Sequence, residues 1–369
     1  MKFLVTGGAG FIGSHTVDAL LAKGHEVRIL DNLSKPVHLK GRPAYLQPEA
    51  EFVEGDVRDK ETMLKCLQGV DAVYHLAAYQ DYLPDFSTFF HVNCVSTALI
   101  YELIVEHKLP VQKVVVAASQ AVLGEGLYKD VDGNLFTPGI RPESQLEKGQ
   151  WEVLDSKGRP AQWMPTPESV RNPQNQYGLS KISQEDIALN IGKRYDIPSV
   201  AMRYSIVQGP RQSFYNAYSG ACRIFCLSAY FDKAPVVYED GMQVRDFVNI
   251  HDVVDANIRV MEDDRANYRA FNVGGGHPYT VLDFAEIVRK VFEKEIEPSL
   301  PGAYRYGDTR HIFSDISALK SLGWAPTRTA EESVGEYRRY LEAQTDIDDI
   351  LDYAEKKMKS MNVVRAVKS

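Results

Sequence analysis

The sequence predicts an α/β fold with a doubly wound parallel sheet and a small, discontinuous C-terminal lobe. Short β-rich apolar runs alternate with helical stretches up to about residue 120, which is typical of right-handed βαβ units. The first of these runs ends at a glycine cluster in residues 7–13. The regular alternation stops at Gly124, and the last third of the chain has the pattern of a smaller mixed lobe.

Each element is assigned from its hydrophobic period and from the turn residues that bound it. The last predicted strand is expected to rejoin the main sheet. The predicted strands are 2–6, 26–30, 51–54, 72–75, 113–117, 199–203 and 271–273. The predicted helices are 11–23, 59–67, 87–107, 177–195, 218–231, 281–292 and 330–343.

Residues 124–176 are rich in proline, glycine and charge and are too many for an ordinary βα connection. They are predicted to form either a folded excursion over a ligand site or a partner-binding insert. The main domain then comprises 1–204 with 246–275, and the lobe comprises 205–245 with 276–345. Residues 346–369 are predicted to be a basic helical tail, frayed from Met358 onward.

Composition limits the classes of function. The chain has 369 residues, of which 44% are hydrophobic, and a net charge of −8. This charge argues against nucleic acid or an anionic membrane as a partner, because both require clustered Lys and Arg. No signal peptide or membrane span is expected. A cytoplasmic location is therefore expected. The four cysteines lie in apolar runs and are predicted to be buried free thiols, with no metal site.

The glycine cluster has the pattern of a dinucleotide-binding loop. Gly7 permits a tight turn, Gly10 lets the backbone approach a pyrophosphate, and Gly13 lets the following helix pack closely. Phe11 and Ile12 open that helix, whose free N–H groups can bind phosphate. This pattern indicates a Rossmann-type domain.

An acidic residue follows at the expected distance. Asp31 ends the second strand, about 20 residues after the loop, where a carboxylate binds the adenosine ribose hydroxyls. The same carboxylate would repel a 2′-phosphate, so NAD is favoured over NADP. Asp31 could otherwise be an ordinary turn residue before Asn32. Asp56 and Val57, after the third strand, are placed to contact adenine.

Three further side chains form a candidate proton-transfer set. Tyr177 and Lys181 stand at i and i+4 and therefore lie side by side on one helix face. The ammonium favours ionisation of the phenol, whose ordinary pKa is ~10. Ser119 follows the fifth strand, where ligands of open α/β sheets bind. Taken alone, Ser119 could be a turn or helix-cap residue.

In this order, the motifs resemble the extended short-chain dehydrogenase/reductase superfamily, in its NAD-dependent epimerase/dehydratase branch. The resemblance spans about residues 1–320. Besides the residues above, it rests on Arg58, His75 to Ala78, Asn93, Arg203-Tyr204, Gly209-Pro210, Gly241 to Val248, Gly307 to His311 and Asp315.

The resemblance implies further site residues. The residues expected to contact NAD include Asn32, Leu76, Ala77, Ala78, Asn93, Tyr177 and Lys181. Ser119 and Gln120 are expected to face the sugar. The diphosphate of a nucleotide-sugar substrate is expected to be held by Arg245 and Arg310. Related enzymes also pair two helices across a homodimer interface, here 87–107 and 177–195.

The resemblance also favours one reaction within the family. Dehydratases and decarboxylases carry carboxylates after the fifth strand, where this chain has Gln120 and Ala121. Without these carboxylates, elimination lacks its base, and the hydride is expected to return to the opposite face of C4. That outcome is 4-epimerisation, as in dTDP-L-rhamnose 4-epimerase-like and UDP-glucose 4-epimerase-like proteins. A 4-ketoreductase or dehydrogenase, a 4,6-dehydratase or decarboxylase, and a non-catalytic NAD-binding regulator are the alternatives.

Two departures from the resembled proteins concern the substrate side. Relatives with a similar insert carry a Cys-Pro-x-Cys pair, where this chain has residues 154–158 and no cysteine. The family's usual asparagine after the sixth strand of the domain is replaced by Ile206. The sugar is therefore the least determined part of the prediction.

Overall fold

The computed structural model describes residues 1–35, 37–81, 83–215 and 220–368. The strands in these ranges are β1 Lys2–Thr6, β2 Glu26–Asp31, β3 Glu51–Glu54, β4 Ala72–His75, β5 Lys113–Ala117, β6 Leu127–Lys129, β7 Leu135–Phe136, β8 Gln162–Met164, β9 Ser199–Tyr204, β10 Ile206–Gln208, β11 Val244–Asn249, β12 Arg269–Val273, β13 Pro278–Thr280, β14 Ala303–Arg305 and β15 Val364–Ala366.

The helices are α1 Phe11–Ala22, α2 Lys60–Leu67, α3 Phe86–Glu106, α4 Glu143–Leu146, α5 Gln176–Asp186, α6 Ala221–Tyr230, α7 Ile250–Glu262, α8 Val281–Phe292, α9 Ser317–Lys320, α10 Ala330–Glu342 and α11 Leu351–Ser360. A π-helical turn, His91–Val95, lies within α3, and a second, Ile187–Ile191, continues α5 to Arg194. The helix predicted at 218–231 is α6; Tyr218 lies outside the described residues.

Seven parallel strands form the main sheet, in the order β12-β9-β5-β4-β1-β2-β3. The order reverses between β1 and β4, and the carboxyl ends of strands at such a switch point border a ligand crevice. Alternate residues of β1 enter the two cores: Val5 packs on the side of α1 and α7, and Leu4 on the side of α2 and α3. The Rossmann-type architecture and the return of β12 to the sheet are as predicted.

The C-terminal lobe has its own sheet and core. Strands β10, β11 and β13 pair in that order, and α6, α8 and α10 pack over them. The core of the lobe includes Phe225, Phe284 and Tyr337. Cys222 and Cys226 are buried here, and all four cysteines of the chain are buried free thiols, as predicted.

The insert folds into a three-stranded antiparallel sheet in the order β7-β6-β8, with the short helix α4. Tyr128, Val153 and Ala161 form its small core. Of its residues, Gly124, Gln174 and Asn175, near its two ends, line the main cavity. The body of the insert therefore lies beside the ligand site, in contact with the C-terminal lobe.

The tail differs from the prediction. Its helical part, α11, continues to Ser360, and the residues that follow do not fray but form β15, which pairs antiparallel with β14 in the lobe. Arg365 forms an ion pair with Glu143 at 2.5 Å, and Lys368 another with Glu147 at 2.5 Å. These long-range contacts bind the tail to the insert and have no signature in the local sequence.

Helix α3 is long and apolar enough to cross a bilayer, by length and composition alone, with a mean hydropathy of 1.4. More than half of that apolar window, 56%, is buried within the fold. Core helices of this kind pass the same test, so the property is weak evidence for a membrane span.

Candidate active site

One large cavity lies at the carboxyl ends of the main-sheet strands, between that sheet and the C-terminal lobe. Its volume is about 1180 Å³, above the roughly 300–1,000 Å³ of a pocket for one drug-sized ligand. The glycine loop and Asp31 line it, as do Tyr177 of α5 and Arg245 of β11. It therefore has room for a dinucleotide and a second ligand together.

The glycine loop has the geometry that its sequence predicts. Gly7 has a φ of +68°, and a Cβ there would lie 2.7 Å from the Ala77 backbone nitrogen. A Cβ on Gly13 would lie 2.1 Å from the Gly7 carbonyl oxygen. Gly10 precedes α1 with extended backbone and without a side-chain cap, so the first N–H groups of α1 are available to a phosphate. The residues present fit a bound dinucleotide.

We expect Gly13→Ala to lose bound NAD and to be less stable. The added methyl group has no space beside the Gly7 carbonyl, and overpacking of this kind costs typically 1–3 kcal/mol. The measurement is the NAD released by denaturing the purified protein. Gly139→Ala is the control, because no atom lies within 4 Å of a Cβ there. NAD content equal to wild type would contradict the assignment of the loop.

The adenosine end of the cavity is formed after β2 and β3. The Asp31 carboxylate is nearly buried and accepts hydrogen bonds from the backbone N–H groups of Ala9 and Leu33, at 3.0 and 2.9 Å. Asn32 donates to Asp56 at 3.2 Å. Hydrogen bonds from Arg58 lower the pKa of Asp56 to about 2. Asp31 and Asp56 both line the cavity, and their contacts with ribose and adenine remain predictions.

Leu76, Ala77 and Ala78, after β4, line the cavity together with Phe11, Ile12 and Val57. Asn93 does not, contrary to expectation. Its buried amide donates to the Tyr79 carbonyl at 3.1 Å and to Ser180 at 2.9 Å, and it accepts from the Tyr79 N–H. Because both ends of the amide are used within the fold, Asn93 holds the 79–81 segment against α5 and does not contact the cavity.

The three predicted proton-transfer residues lie together in the cavity wall. Ser119 lies next to Tyr177, close enough for its side chain to lower the pKa of the phenol. The Lys181 ammonium lies 5.7 Å from the centre of the Tyr177 ring. It donates to the Ala117 carbonyl at 2.7 Å and to Gln184 at 2.8 Å, which leaves one of its three N–H groups for a ligand.

Burial shifts the pKa of both ionisable members of this set. It raises the pKa of Tyr177 to about 12, although the Ser119 hydrogen bond acts in the opposite direction. It lowers the pKa of Lys181 to about 7. Each group is thus pushed toward its neutral form in the ligand-free protein. A phenolate at neutral pH therefore requires an additional positive charge nearby, and the oxidised nicotinamide of NAD carries one.

Gln120 lines the cavity but its side chain is already bonded. Its amide nitrogen donates to Ser205 at 3.3 Å and to Ser314 at 3.2 Å. Ser205 in turn donates to the buried carboxylate of Asp246 at 2.8 Å. The amide thus joins the segment after β5 to the lobe, and the contact of Gln120 with the sugar remains a prediction.

The two arginines expected at a diphosphate differ in their surroundings. Arg245 lines the cavity, held by carbonyl oxygens of Val244, Thr309 and Arg310 at 2.8–3.0 Å. The prediction for Arg310 is wrong. Its side chain has no exposed surface, is absent from the cavity wall in the described chain, and binds three carboxylates. These belong to Glu152, Glu239 and Asp240, at 2.5, 3.0 and 2.7 Å.

This ion cluster joins the insert to the lobe. Glu152 comes from the insert, whereas Glu239 and Asp240 precede β11. Arg141 of the insert completes the cluster with an ion pair to Glu239 at 2.8 Å. Arg310 is therefore a structural residue that lies between the two substructures.

We expect Arg310→Gln to destabilise the protein by about 1–3 kcal/mol, because it removes the buried guanidinium that joins Glu239 to the half-exposed Glu152 and Asp240. Urea unfolding measures this free energy. Arg171→Gln, which removes an exposed ion pair with Asp186, is the control and should change it by less than about 1 kcal/mol. Unchanged stability combined with weakened nucleotide binding would restore the diphosphate role.

One residue of the cavity wall, Arg223, was not predicted from the sequence. Arg223 lies in the otherwise apolar helix α6 and lines the cavity. A single charge within an apolar helix is a signal that the sequence contains, but no motif surrounds it.

The comparisons with known proteins agree with this geometry. The model of the NAD dependent epimerase/dehydratase family matches residues 3–145 and 153–274. The chain belongs to this family. NAD is accordingly its cofactor, and the Rossmann-type loop described above is the place where the residues of the chain fit it.

Several members of the family are similar over nearly their whole length. The dTDP-L-rhamnose 4-epimerase of Burkholderia thailandensis is 34% identical, over 94% of this chain and 96% of that protein. The putative UDP-glucose 4-epimerase of Methanocaldococcus jannaschii is 32% identical, over 90% and 95%. Both proteins are named as 4-epimerases, and 4-epimerisation is the reaction that the resemblance favours.

Solved structures agree with the fold. The UDP-glucose 4-epimerase of Thermotoga maritima, with UDP-glucose, superposes with a TM-score of 0.75 at 28% identity, over 93% of this chain and 99% of that one. The NAD complex of the Thermus thermophilus UDP-glucose 4-epimerase gives a TM-score of 0.72 at 26% identity, over 94% and 100%.

Proposed function

We propose that this protein is a nucleotide-sugar 4-epimerase that retains NAD through each turnover. The observation that carries the proposal is one cavity in which Ser119, Tyr177 and Lys181 meet beside the dinucleotide loop. The names of its relatives support the same reaction. The substrate is a sugar linked to a nucleoside diphosphate, with Arg245 facing the diphosphate.

The residues of the chain perform the proton transfer. NAD, which the glycine loop and Asp31 would hold, would supply the hydride acceptor and donor for C4. Tyr177 takes the proton of the sugar 4-hydroxyl as the 4-keto sugar forms, and gives it back when C4 is reduced. Ser119, which lies beside Tyr177 in the cavity wall, holds the same sugar oxygen. Lys181 keeps the phenolate stable by its charge.

The surroundings of Gln120 favour epimerisation over elimination. Loss of water from C5 and C6 requires a base at C5 and an acid at the leaving hydroxyl. Gln120 can supply neither, and its amide is bound to Ser205 and Ser314. The following Ala121 has no titratable group. The 4-keto sugar is therefore reduced again, from either face, before it can eliminate.

The test is to incubate the purified protein with UDP-, dTDP- and GDP-linked sugars without added cofactor. Proton NMR then identifies the products, and we expect inversion at C4. Product formed only with stoichiometric consumption of added NAD(H) would indicate a ketoreductase or dehydrogenase instead. No product from any sugar, with NAD bound, would favour a non-catalytic regulator.

We further propose a homodimer through α3 and the α5 helix. Large apolar side chains are exposed on these neighbouring helices: Phe86, Phe90 and Val95 of α3, and Leu179 of α5. An exposed apolar patch of this kind is typical of a protein interface. Light scattering should give twice the monomer mass, and Val95→Asp should give the monomer. Leu135→Asp, on the insert, is the control and should leave the mass unchanged; a monomeric wild type would contradict the proposal.

A further inference from the structure

Arg223 of α6 is buried in the cavity wall, and the mechanism above does not use it. Its side chain has no exposed surface. Within the described part of the chain, its Nε and Nη2 atoms have no hydrogen-bond partner. Its Nη1 reaches only the carbonyl oxygen of Ser213, at 3.4 Å.

The other two fully buried arginines have a different environment. Arg203 forms an ion pair with Glu185 at 2.7 Å, and Arg310 binds Glu239 at 3.0 Å. Among the residues that the structure describes, no carboxylate lies within ion-pair distance of Arg223. A buried charge is normally paired, because desolvation without a partner is costly. Arg223 therefore lacks the anion that its counterparts have.

The guanidinium nevertheless stays charged at neutral pH. Burial lowers the pKa of Arg223 to about 10, which is still well above 7. Nε and Nη2 donate from the same edge of the planar guanidinium group. Such a pair binds two oxygens of one carboxylate or phosphate through parallel hydrogen bonds. The unpaired donors thus match an acidic oxygen group in the cavity.

We propose that Arg223 binds an anionic oxygen group of the nucleotide sugar through Nε and Nη2. This inference rests on the proposed function, because it requires the substrate to occupy the cavity. It assigns to Arg223 the kind of contact that the sequence predicted for Arg310. The anion is either the diphosphate, common to all nucleotide sugars, or a carboxylate on the sugar, as in a uronic acid.

Isothermal titration of the NAD-loaded protein distinguishes these sources. Wild type and Arg223→Gln are titrated with UDP, dTDP, UDP-glucose and UDP-glucuronate. If the anion is the diphosphate, the variant should bind every ligand that wild type binds about 10- to 100-fold more weakly. If it is a sugar carboxylate, only UDP-glucuronate should lose affinity. The control is Arg289→Gln in α8, which lies outside the cavity and pairs with Glu286 at 2.6 Å.

A second measurement separates ligand binding from a structural role. Because Nε and Nη2 of Arg223 have no partner among the described residues, Arg223→Gln should melt no lower than wild type without ligand and gain less from UDP. A marked fall in Tm without ligand would overturn the inference. If Arg223→Gln does not fold, that result also counts against it.

Arg223→Lys keeps the charge but not the paired donors, and should bind the affected ligand more weakly than wild type. Affinities within twofold of wild type for every ligand, in both variants, would overturn the inference and leave the proposed function intact. If wild type itself binds none of the four ligands, the proposed function fails and this inference fails with it.

Discussion

Tyr177→Phe is expected to lower kcat by roughly 10²- to 10⁴-fold, the usual contribution of a positioned acid–base group. The substitution removes only the hydroxyl that exchanges the proton with the sugar oxygen. The contacts of the glycine loop and of Asp31 do not involve Tyr177, so bound NAD should remain. Rate measurements on the sugar that wild type accepts, with the NAD content of the same sample, test both parts.

Tyr101→Phe is the matched control. Tyr101 is buried and its hydroxyl is bonded to Ser199 at 2.8 Å, on the α3 side of the sheet and away from the cavity. It should keep wild-type kcat. A Tyr177→Phe enzyme with more than about a tenth of wild-type kcat would show that another group moves the proton.

Lys181→Met is expected to have a comparably large effect, with a change in pH dependence. Burial already raises the pKa of Tyr177, and removing the neighbouring ammonium raises it further. The rate depends on the phenolate, so the acidic limb of the pH–rate profile should move to higher pH, and activity near pH 7 should fall most. A variant with low activity but an unshifted profile would limit Lys181 to a structural role.

The same lysine also predicts how stability depends on pH. In the ligand-free native state Lys181 releases its proton near pH 7, whereas an unfolded lysine keeps it until about 10.4. The unfolded state therefore binds more protons between these values, and the free energy of unfolding rises with pH there. Below pH 7 the full cost of the buried charge is present. In urea unfolding of the NAD-free proteins, this rise should be present in wild type and absent from Lys181→Met.

The NAD half of the site could be predicted from the sequence because each signal is local. A turn with φ above 0 at Gly7 and a carboxylate at the end of β2 require only neighbouring residues. The same holds for Tyr177 and Lys181, which the helix itself places together. The alternation of strands and helices predicts a parallel sheet, in which the carboxyl ends of the strands lie at one edge.

The substrate half depends on contacts between distant segments, and there the predictions were incomplete. Arg310 occupies a position expected to bind phosphate, but Glu152 reaches it from an insert whose fold no local pattern reveals. Asn93 likewise faces Ser180 because of how α3 packs on α5. The pairing of β15 with β14 joins residues about sixty positions apart in the sequence.

Arg223 shows the opposite case. Its identity is visible in the sequence, but what distinguishes it from surface arginines is its burial, with Nε and Nη2 unpaired among the residues that the structure describes. Arg203 and Arg310 are equally buried but paired with carboxylates, and this difference is visible only in the folded structure. A buried cation that faces a cavity becomes informative only once the fold is known.

The proposed epimerisation would return the hydrogen of C4 to the same carbon, on the other face, through an NAD that stays bound. It is tested most directly with a nucleotide sugar that carries deuterium at C4, incubated without added cofactor. We predict that the epimerised product retains the deuterium at C4, as read by NMR and mass spectrometry. Loss of the label to solvent, or its appearance at another carbon, would contradict the account.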